Sequence, residues 1–422
     1  MPNISPEAAP KDQWTLLRGA RQLLTLRGPS GPRRGAALNE LSVLKDGAML
    51  LCNGVIQEVG ISRRVENLKQ ARNAKEIDVA GKVVMPAFVD PDAVLVYPPP
   101  AGKRAPDPAR EARLCQVSKH RLSQTGAASA ADWVRAGVLS VGAHTGFAVD
   151  LRDTLRVLRI HQTLQGKPLR IRSIYSPVMQ ADGEAAMAAL LETLTTKALP
   201  AILKRKLAAI LEFSLPGPGG RTDDVRHAAI AAAAAGYSIR VRINGMPEQE
   251  LLELALAAAS LSVIAPPVET VAGIRTMLQL GDLGCVHVLQ ATAAMREDWN
   301  SAGAVRRAAV RREIDEGVPI AIASGFRAGG VTSLNPQFLL HLAVERCGMT
   351  VQEAIVASTY NAACSLRMSH VTGSLEPGKA ADLLVMDVTD YRDLVQRVGH
   401  NDVQMAIRAG HAVYRRGSLT AD

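Results

Sequence analysis

Between residues 82 and 323 the chain alternates two hydrophobic rhythms. Short aliphatic and β-branched runs of the kind that form buried strands fall at 82–89, 138–143, 171–176, 208–213, 238–243, 261–264, 285–289 and 318–323. Longer amphipathic or Ala/Leu-rich stretches separate most of them, at 151–165, 184–199, 223–235, 248–259, 268–280 and 305–316, with Gly236 and Gly317 placed as stop signals. Strands that alternate with helices predict parallel βαβ units, and eight strands predict closure into a (β/α)8 TIM-like barrel with its active centre at the strand C-terminal ends. Trailing helices are expected at 336–346 and 350–363.

Outside that region the pattern shortens. Apolar runs at 16–17, 22–26, 48–52 and 55–59 are broken by a Gly/Pro/Arg-rich loop at 28–35 and by Asn53-Gly54, a pair that suits a two-residue hairpin because both positions accept positive φ. Near the other end, 373–387 reads as a turn followed by a strand, and 403–414 as two strands around Ala409-Gly410. The two ends together predict a small β-sandwich beside the barrel. The expected division is a tail at 1–13, a composite domain from 14–82 and 366–422, and the barrel at 83–365. A chain of 422 residues, 47% hydrophobic, suffices for one barrel-sized core and one smaller core.

Composition narrows the partners. The net charge is +9, but Lys and Arg are scattered and never reach a block of five, so a solvated basic surface is expected and no nucleic-acid partner. Aromatics are 3% of the chain, which leaves few rings for stacking on bases. The five cysteines form no CxxC pair, which argues against both a disulfide framework and a cysteine zinc site. No apolar run approaches the ~18 residues of a membrane span, and the first thirteen residues lack an apolar signal core, so a soluble cytoplasmic chain without membrane contact is expected. Asp223-Asp224 sits where carboxylates oppose a helix dipole. No nucleophile elbow, P-loop or dinucleotide fingerprint is present, and Gly217-Pro218-Gly219-Gly220 lacks the strand-helix setting of a phosphate cradle.

Four stretches carry a resemblance: GKVVMPAFVDPDAVLVY (81–97), GVPIAIASGF (317–326), LAVERCGMTVQEAIVASTYNAACSL (342–366) and GSLEPGKAADLLVMD (373–387). With LLRGARQLLTLRG near the start, they make nearly the whole chain similar to the amidohydrolase superfamily, and within it to the imidazolonepropionases. The resemblance implies a barrel flanked by a β-sandwich from both chain ends. It also implies hydrolysis of a C–N bond in a cyclic amide by one divalent ion, zinc or iron, held by a His-x-His on the first barrel strand, two further strand-end histidines and a late aspartate.

Matched position by position, those ligands are replaced. Asp92 and Val94 stand at the His-x-His, and Ile174-Tyr175-Ser176-Pro177 stands where another histidine is expected. Asn244 takes the place of a histidine and Pro247 that of the catalytic glutamate, the Ala265-Pro266-Pro267 turn lacks its histidine, and Gly325 stands for the aspartate. A hydrolytic centre needs about three or four protein ligands and an open position for water, so a single plausible ligand, Asp92, predicts no metal and no other cofactor. Retained zinc or iron is the alternative.

Two functions follow. The first is a pseudoenzyme that works by binding, either a small anionic ligand or a partner such as a second copy or an active paralogue. The second is a C–N hydrolase of a cyclic amide with a site rebuilt around Asp92, His144 and Arg104. Asp92 and His144 are the candidate catalytic groups, and Arg104, His144, Phe147 and Asn244 the candidate ligand contacts. His144 closes a strand and either faces the pocket or is a hydrogen-bonded structural histidine. Arg104 aligns with an arginine that grips a substrate carboxylate, or else is an exposed loop arginine; Phe147 replaces a substrate-contacting tyrosine. With a +9 chain behind them, Arg104 and His144 predict surplus positive charge at the barrel mouth.

Overall fold

The computed structural model describes residues 12–97, 114–146, 150–177, 184–215, 222–245, 249–296, 302–326 and 333–417. Arg104, Phe147 and Pro247 lie outside them. The first strands are β1 (Trp14–Leu24), β2 (Val43–Cys52), β3 (Val55–Ile61), β4 (Lys75–Asp78) and β5 (Val83–Pro86). The barrel strands are β6 (Phe88–Ala93), β7 (Val138–His144), β8 (Arg170–Tyr175), β9 (Ile210–Leu215), β10 (Ser238–Ile243), β11 (Ser262–Ile264), β12 (Val286–Gln290) and β13 (Ile320–Ala323). The chain ends with β14 (Leu383–Met386), β15 (Val403–Arg408) and β16 (His411–Arg415).

β6 to β13 pair in sequence order, all parallel, and the seam closes where Val94 N–H donates to the Phe326 carbonyl at 3.0 Å beside an Ala93–Phe326 bridge. Asp90 of β6 stitches the same seam by accepting from the backbone N–H and the hydroxyl of Ser324. Phe326 then packs edge-on against Trp133 at 5.1 Å, so the seam has both a polar clasp and an aromatic anchor. Seven of the eight barrel strands lie on the stretches that the hydrophobic rhythm marks, within two residues at either end, and β6 overlaps only the end of the run at 82–89.

The two chain ends share one eight-stranded mixed sheet, ordered β16-β15-β14-β5-β1-β2-β3 with β4 on β1. Its apolar face joins Leu17, Met49 and Ile56 from the first half to Leu383, Val385 and Ile407 from the second. Asn53 and Gly54 take φ +50° and +78° in the expected hairpin turn. A Cβ on Gly54 would lie 2.1 Å from the Ala409 carbonyl oxygen, so only glycine lets the two terminal hairpins touch.

Three elements differ from the sequence reading. The run at 82–89 is two strands: β5 joins the composite sheet, pairing β1 and β14, and the barrel begins only at Phe88, so the boundary lies past 83. The switch falls at Pro86-Ala87, where proline has no N–H for a ladder and Ala87 N–H instead reaches the Asp382 carbonyl. The expected helix at 350–363 is broken between Val351–Ala357 and Tyr360–Cys364, because the hydroxyls of Ser358 and Thr359 bond back to the Ala354 and Ile355 carbonyls. A helix at Lys119–Arg135, which buries Leu122 and Trp133, has a Gly/Ser/Ala-rich sequence whose period is too faint to mark it.

Candidate functional site

The barrel centre is occupied by charge. Along β10 the sequence Ser-Ile-Arg-Val-Arg-Ile alternates, and in a strand that places Arg240 and Arg242 on one face, inside the barrel. Both are buried, Arg240 completely. Glu212, beside Arg240 in the β9–β10 register, and Asp92 of β6, on the far side of the barrel, are buried with them. Arg240 donates from Nε to Glu212 Oε2 at 2.6 Å, from Nη1 to the Pro91 carbonyl at 2.6 Å and from Nη2 to Asp92 Oδ1 at 3.0 Å. Arg242 donates from Nε to Glu212 Oε1 at 3.1 Å, from Nη1 to Asp92 Oδ2 at 3.1 Å, and from Nη2 to both carboxylates. Gln290 Nε2 adds a donor to Asp92 Oδ2 at 2.8 Å, and Ser176 Oγ one to Glu212 Oε1 at 3.0 Å. Two guanidiniums thus face two carboxylates with every charged nitrogen engaged. The network is neutral and closed, the condition under which buried charges are tolerated.

Small residues make room for it. A Cβ on Gly142 of β7 would lie 2.4 Å from the Pro91 carbonyl oxygen that Arg240 uses. Gly325 sits at φ +59°, and a Cβ there would lie 2.9 Å from Gln290 Cδ. The Gln290 amide therefore fills the space that a side chain at 325 would need. Val94 is buried and contributes only bulk.

The protonation states follow from this packing. Burial alone would push Asp92 and Glu212 up, but the guanidiniums of Arg242 and Arg240 outweigh it and hold both carboxyls far below the usual range. Asp90 has no guanidinium: burial raises it to about 6, against the opposing pull of its Ser324 hydrogen bonds. His144 is buried with Nε2 3.8 Å from Asp92 Oδ1 and neither ring nitrogen hydrogen-bonded. Burial lowers it to about 4, more than the nearby Glu212 and Asp92 raise it, so it is a neutral imidazole at pH 7. Hence His144 does face the barrel interior beside Asp92, as the sequence suggests, but it brings no positive charge there. Asn244 stands at the mouth, its Nδ2 donating to Ser214 Oγ at 2.8 Å, and with Arg242 and Gln290 it lines a cavity of about 310 Å³ at the ends of β10 to β12.

The donor set does not fit a divalent ion. Both Asp92 oxygens and both Glu212 oxygens are taken by cationic or amide donors, and two guanidiniums fill the space between them. Among the described residues no three of His, Cys, Asp or Glu come together in a metal-binding group.

The sequence reading singles out Asp92 and His144 and misses Arg240, Arg242, Glu212 and Gln290. The signal was present: paired arginines two apart in an otherwise apolar strand, and a lone glutamate in ILEFSL, mark an inward polar face in what reads as a fully buried parallel strand.

Comparison with known proteins agrees with this architecture. The amidohydrolase family model matches residues 212–413. The imidazolonepropionase of Solibacter usitatus is 30% identical over 95% of this chain and 99% of its own length, and that of Brevibacillus brevis 28% identical over 97% and 99%. Among solved structures, A. niger ochratoxinase superposes with a TM-score of 0.71 at 15% identity, covering 96% of each chain. N-isopropylammelide isopropylaminohydrolase from Burkholderia multivorans superposes with a TM-score of 0.70 at 18% identity, covering 97% of this chain and all of that one. At that identity the superpositions speak for the fold alone, while the full-length sequence match speaks for descent. The chain belongs to the amidohydrolase family and is imidazolonepropionase-like.

Proposed function

We propose that this chain is a non-hydrolytic amidohydrolase-family barrel, in which a closed ion-pair network stands in place of a metal centre and the protein works by binding. The observation that carries the reading is the position of Arg240 and Arg242. They reach from β10 to Asp92 on the opposite wall, beside the position where the family resemblance implies a first-strand metal ligand. A guanidinium can neutralise a carboxylate, but it has no open coordination position and cannot lower the pKa of a bound water as a divalent cation does. The cavity of about 310 Å³ above Arg242, Asn244 and Gln290 remains as a small-molecule pocket.

Elemental analysis of purified protein after dialysis against chelator, paired with an assay of imidazolonepropionate hydrolysis, tests the reading. Metal well below one ion per chain and no turnover are expected. Near-stoichiometric zinc, iron or manganese would overturn it. The second reading, a C–N hydrolase with a rebuilt site, has one observation on its side: His144 is neutral, unpartnered and beside a carboxylate, as a general base would be. Under that reading turnover is metal-independent and is lost in His144→Ala.

A further inference from the structure

A second concentration of positive charge lies at the opposite end of the barrel. A cavity of about 630 Å³ opens there, lined by the starts of β9 and β10, the turns before β11 and β12, and the segment after the Tyr360–Cys364 helix. A second cavity, of about 340 Å³, adjoins it between the Leu151–Leu164 and Leu199–Lys204 helices, and Arg172 and Ala209 line both. Among the described residues lining the two, none is an aspartate or glutamate, whereas Arg172, Arg367, Lys206 and His370 are all present.

Arg172 is the informative member. In β8 it shares a strand face with Ile174, and the register of Ile174 with Ile210 and of Arg240 with Glu212 puts that face inside the barrel. Its Nη2 donates to the Arg367 carbonyl at 3.2 Å, and no carboxylate pairs with it among the described residues. The neighbouring Arg170 is different, being bound to Asp382 at 2.8 Å. Burial, then the charges of Arg170 and Arg367, pull Arg172 below the usual arginine range, so the site is cationic and uncompensated. A second observation points the same way. Ser260 is 2% exposed and lines the larger cavity, and its hydroxyl has no hydrogen-bond partner. In the smaller cavity His161 is fully buried with both ring nitrogens unpartnered. Unsatisfied buried donors and an unpaired guanidinium are costly unless something else satisfies them.

We propose that this N-terminal mouth binds a small organic phosphate, whose dianionic group is held by Arg172 and Arg367 with the Ser260 hydroxyl as a further donor. Guanidiniums match the oxygens of phosphate by parallel hydrogen bonds, two fixed cations suit a dianion better than a monocarboxylate, and the larger cavity has the volume of a small-molecule site. The Lys206 and His161 side leaves room for the body of the ligand. This site is separate from the ion-pair network and does not depend on whether that network supports hydrolysis.

Isothermal titration of inorganic phosphate into the full chain at low ionic strength, with succinate as the carboxylate comparison, tests it. Saturable binding of phosphate, tighter than succinate, is expected. Arg172→Gln should weaken it about tenfold or more, and Ser260→Ala and Arg367→Gln several-fold. Because Arg172 is crowded by like charges, Arg172→Gln should melt no lower than the parent without phosphate, which separates lost binding from lost fold. Arg367 is exposed, so Arg367→Gln remains interpretable in any case. Absence of saturable phosphate binding by the parent, binding unchanged in all three variants, or tighter binding of succinate would each overturn the proposal.

Discussion

Replacing Arg240 by Met removes one charge from the neutral network while keeping most of the side-chain volume. Arg240 is completely buried, and its three donors serve Glu212, Asp92 and the Pro91 carbonyl. The variant would leave two buried carboxylates against one guanidinium. Removing one partner of a buried, hydrogen-bonded pair costs about 3–5 kcal/mol, because the remaining charge has neither water nor a counter-ion. In a chain of 422 residues that corresponds to a melting temperature lower by about 3–6 °C. A fourfold change, Asp92→Leu with Glu212→Leu, Arg240→Met and Arg242→Met, removes all four charges together and should recover most of the loss, since well-packed apolar groups replace buried ion pairs at little or no cost. Scanning fluorimetry of parent, single and fourfold variants reads both effects. A single variant melting within about 1 °C of the parent would refute the reasoning, because it would mean that water reaches the network and screens it.

Four further outcomes are expected. Asp92→His with Val94→His should restore neither metal retention in elemental analysis nor imidazolonepropionate turnover, because Gln290 still fills the space beside Gly325 and two guanidiniums lose their anion. Burial lowers His161 to about 3 and His144 to about 4, whereas in the unfolded chain both titrate near 6.5, so their contribution is complete above 6.5 and is lost as pH falls towards 4. Urea midpoints should therefore drop over that window, and His161→Leu should flatten the drop; an unchanged profile would contradict the assignment. Asp90 has the opposite sign: raised from 3.8 to about 6, it contributes stability that is lost as pH rises between those values, and Asp90→Asn should remove that part of the urea profile. Gly54→Ala, read by thermal melting, should be severely destabilising, because it combines a positive φ with a clash against a backbone oxygen.

The barrel was legible because each strand is short, apolar and separated from the next by a helix-length interval, a pattern that burial on both faces enforces. The helix at Lys119–Arg135 escaped notice because small residues such as Gly126 and Ala130 give its buried face little contrast. At the site, position-by-position matching showed where histidines and acids were absent, and Asp92 and His144 do meet in the barrel. Matching could not show what fills the gap, since an arginine's long stem carries its charge well away from its backbone position. Arg240 and Arg242 act at the level of Asp92 although they belong to the opposite wall. That His144 adds no charge at the barrel mouth has a related reason: its ionisation is decided by burial, which a local sequence does not state, while Arg104, the other half of that expectation, lies outside the described residues.

The composite sheet also sets a clock. β5 lies between β1 and β14, yet β14 begins at Leu383, 297 residues after β5 ends at Pro86 (383 − 86). At a synthesis rate of roughly 5–20 residues per second, one edge of β5 waits about 15–60 s for its partner. Through that interval the nascent chain carries an unpaired, wholly apolar strand edge, the kind of surface that recruits other chains. Aggregation during expression should accordingly depend on how fast the stretch between β5 and β14 is synthesised, and a chaperone that shields strand edges would act on this protein while it is still attached to the ribosome.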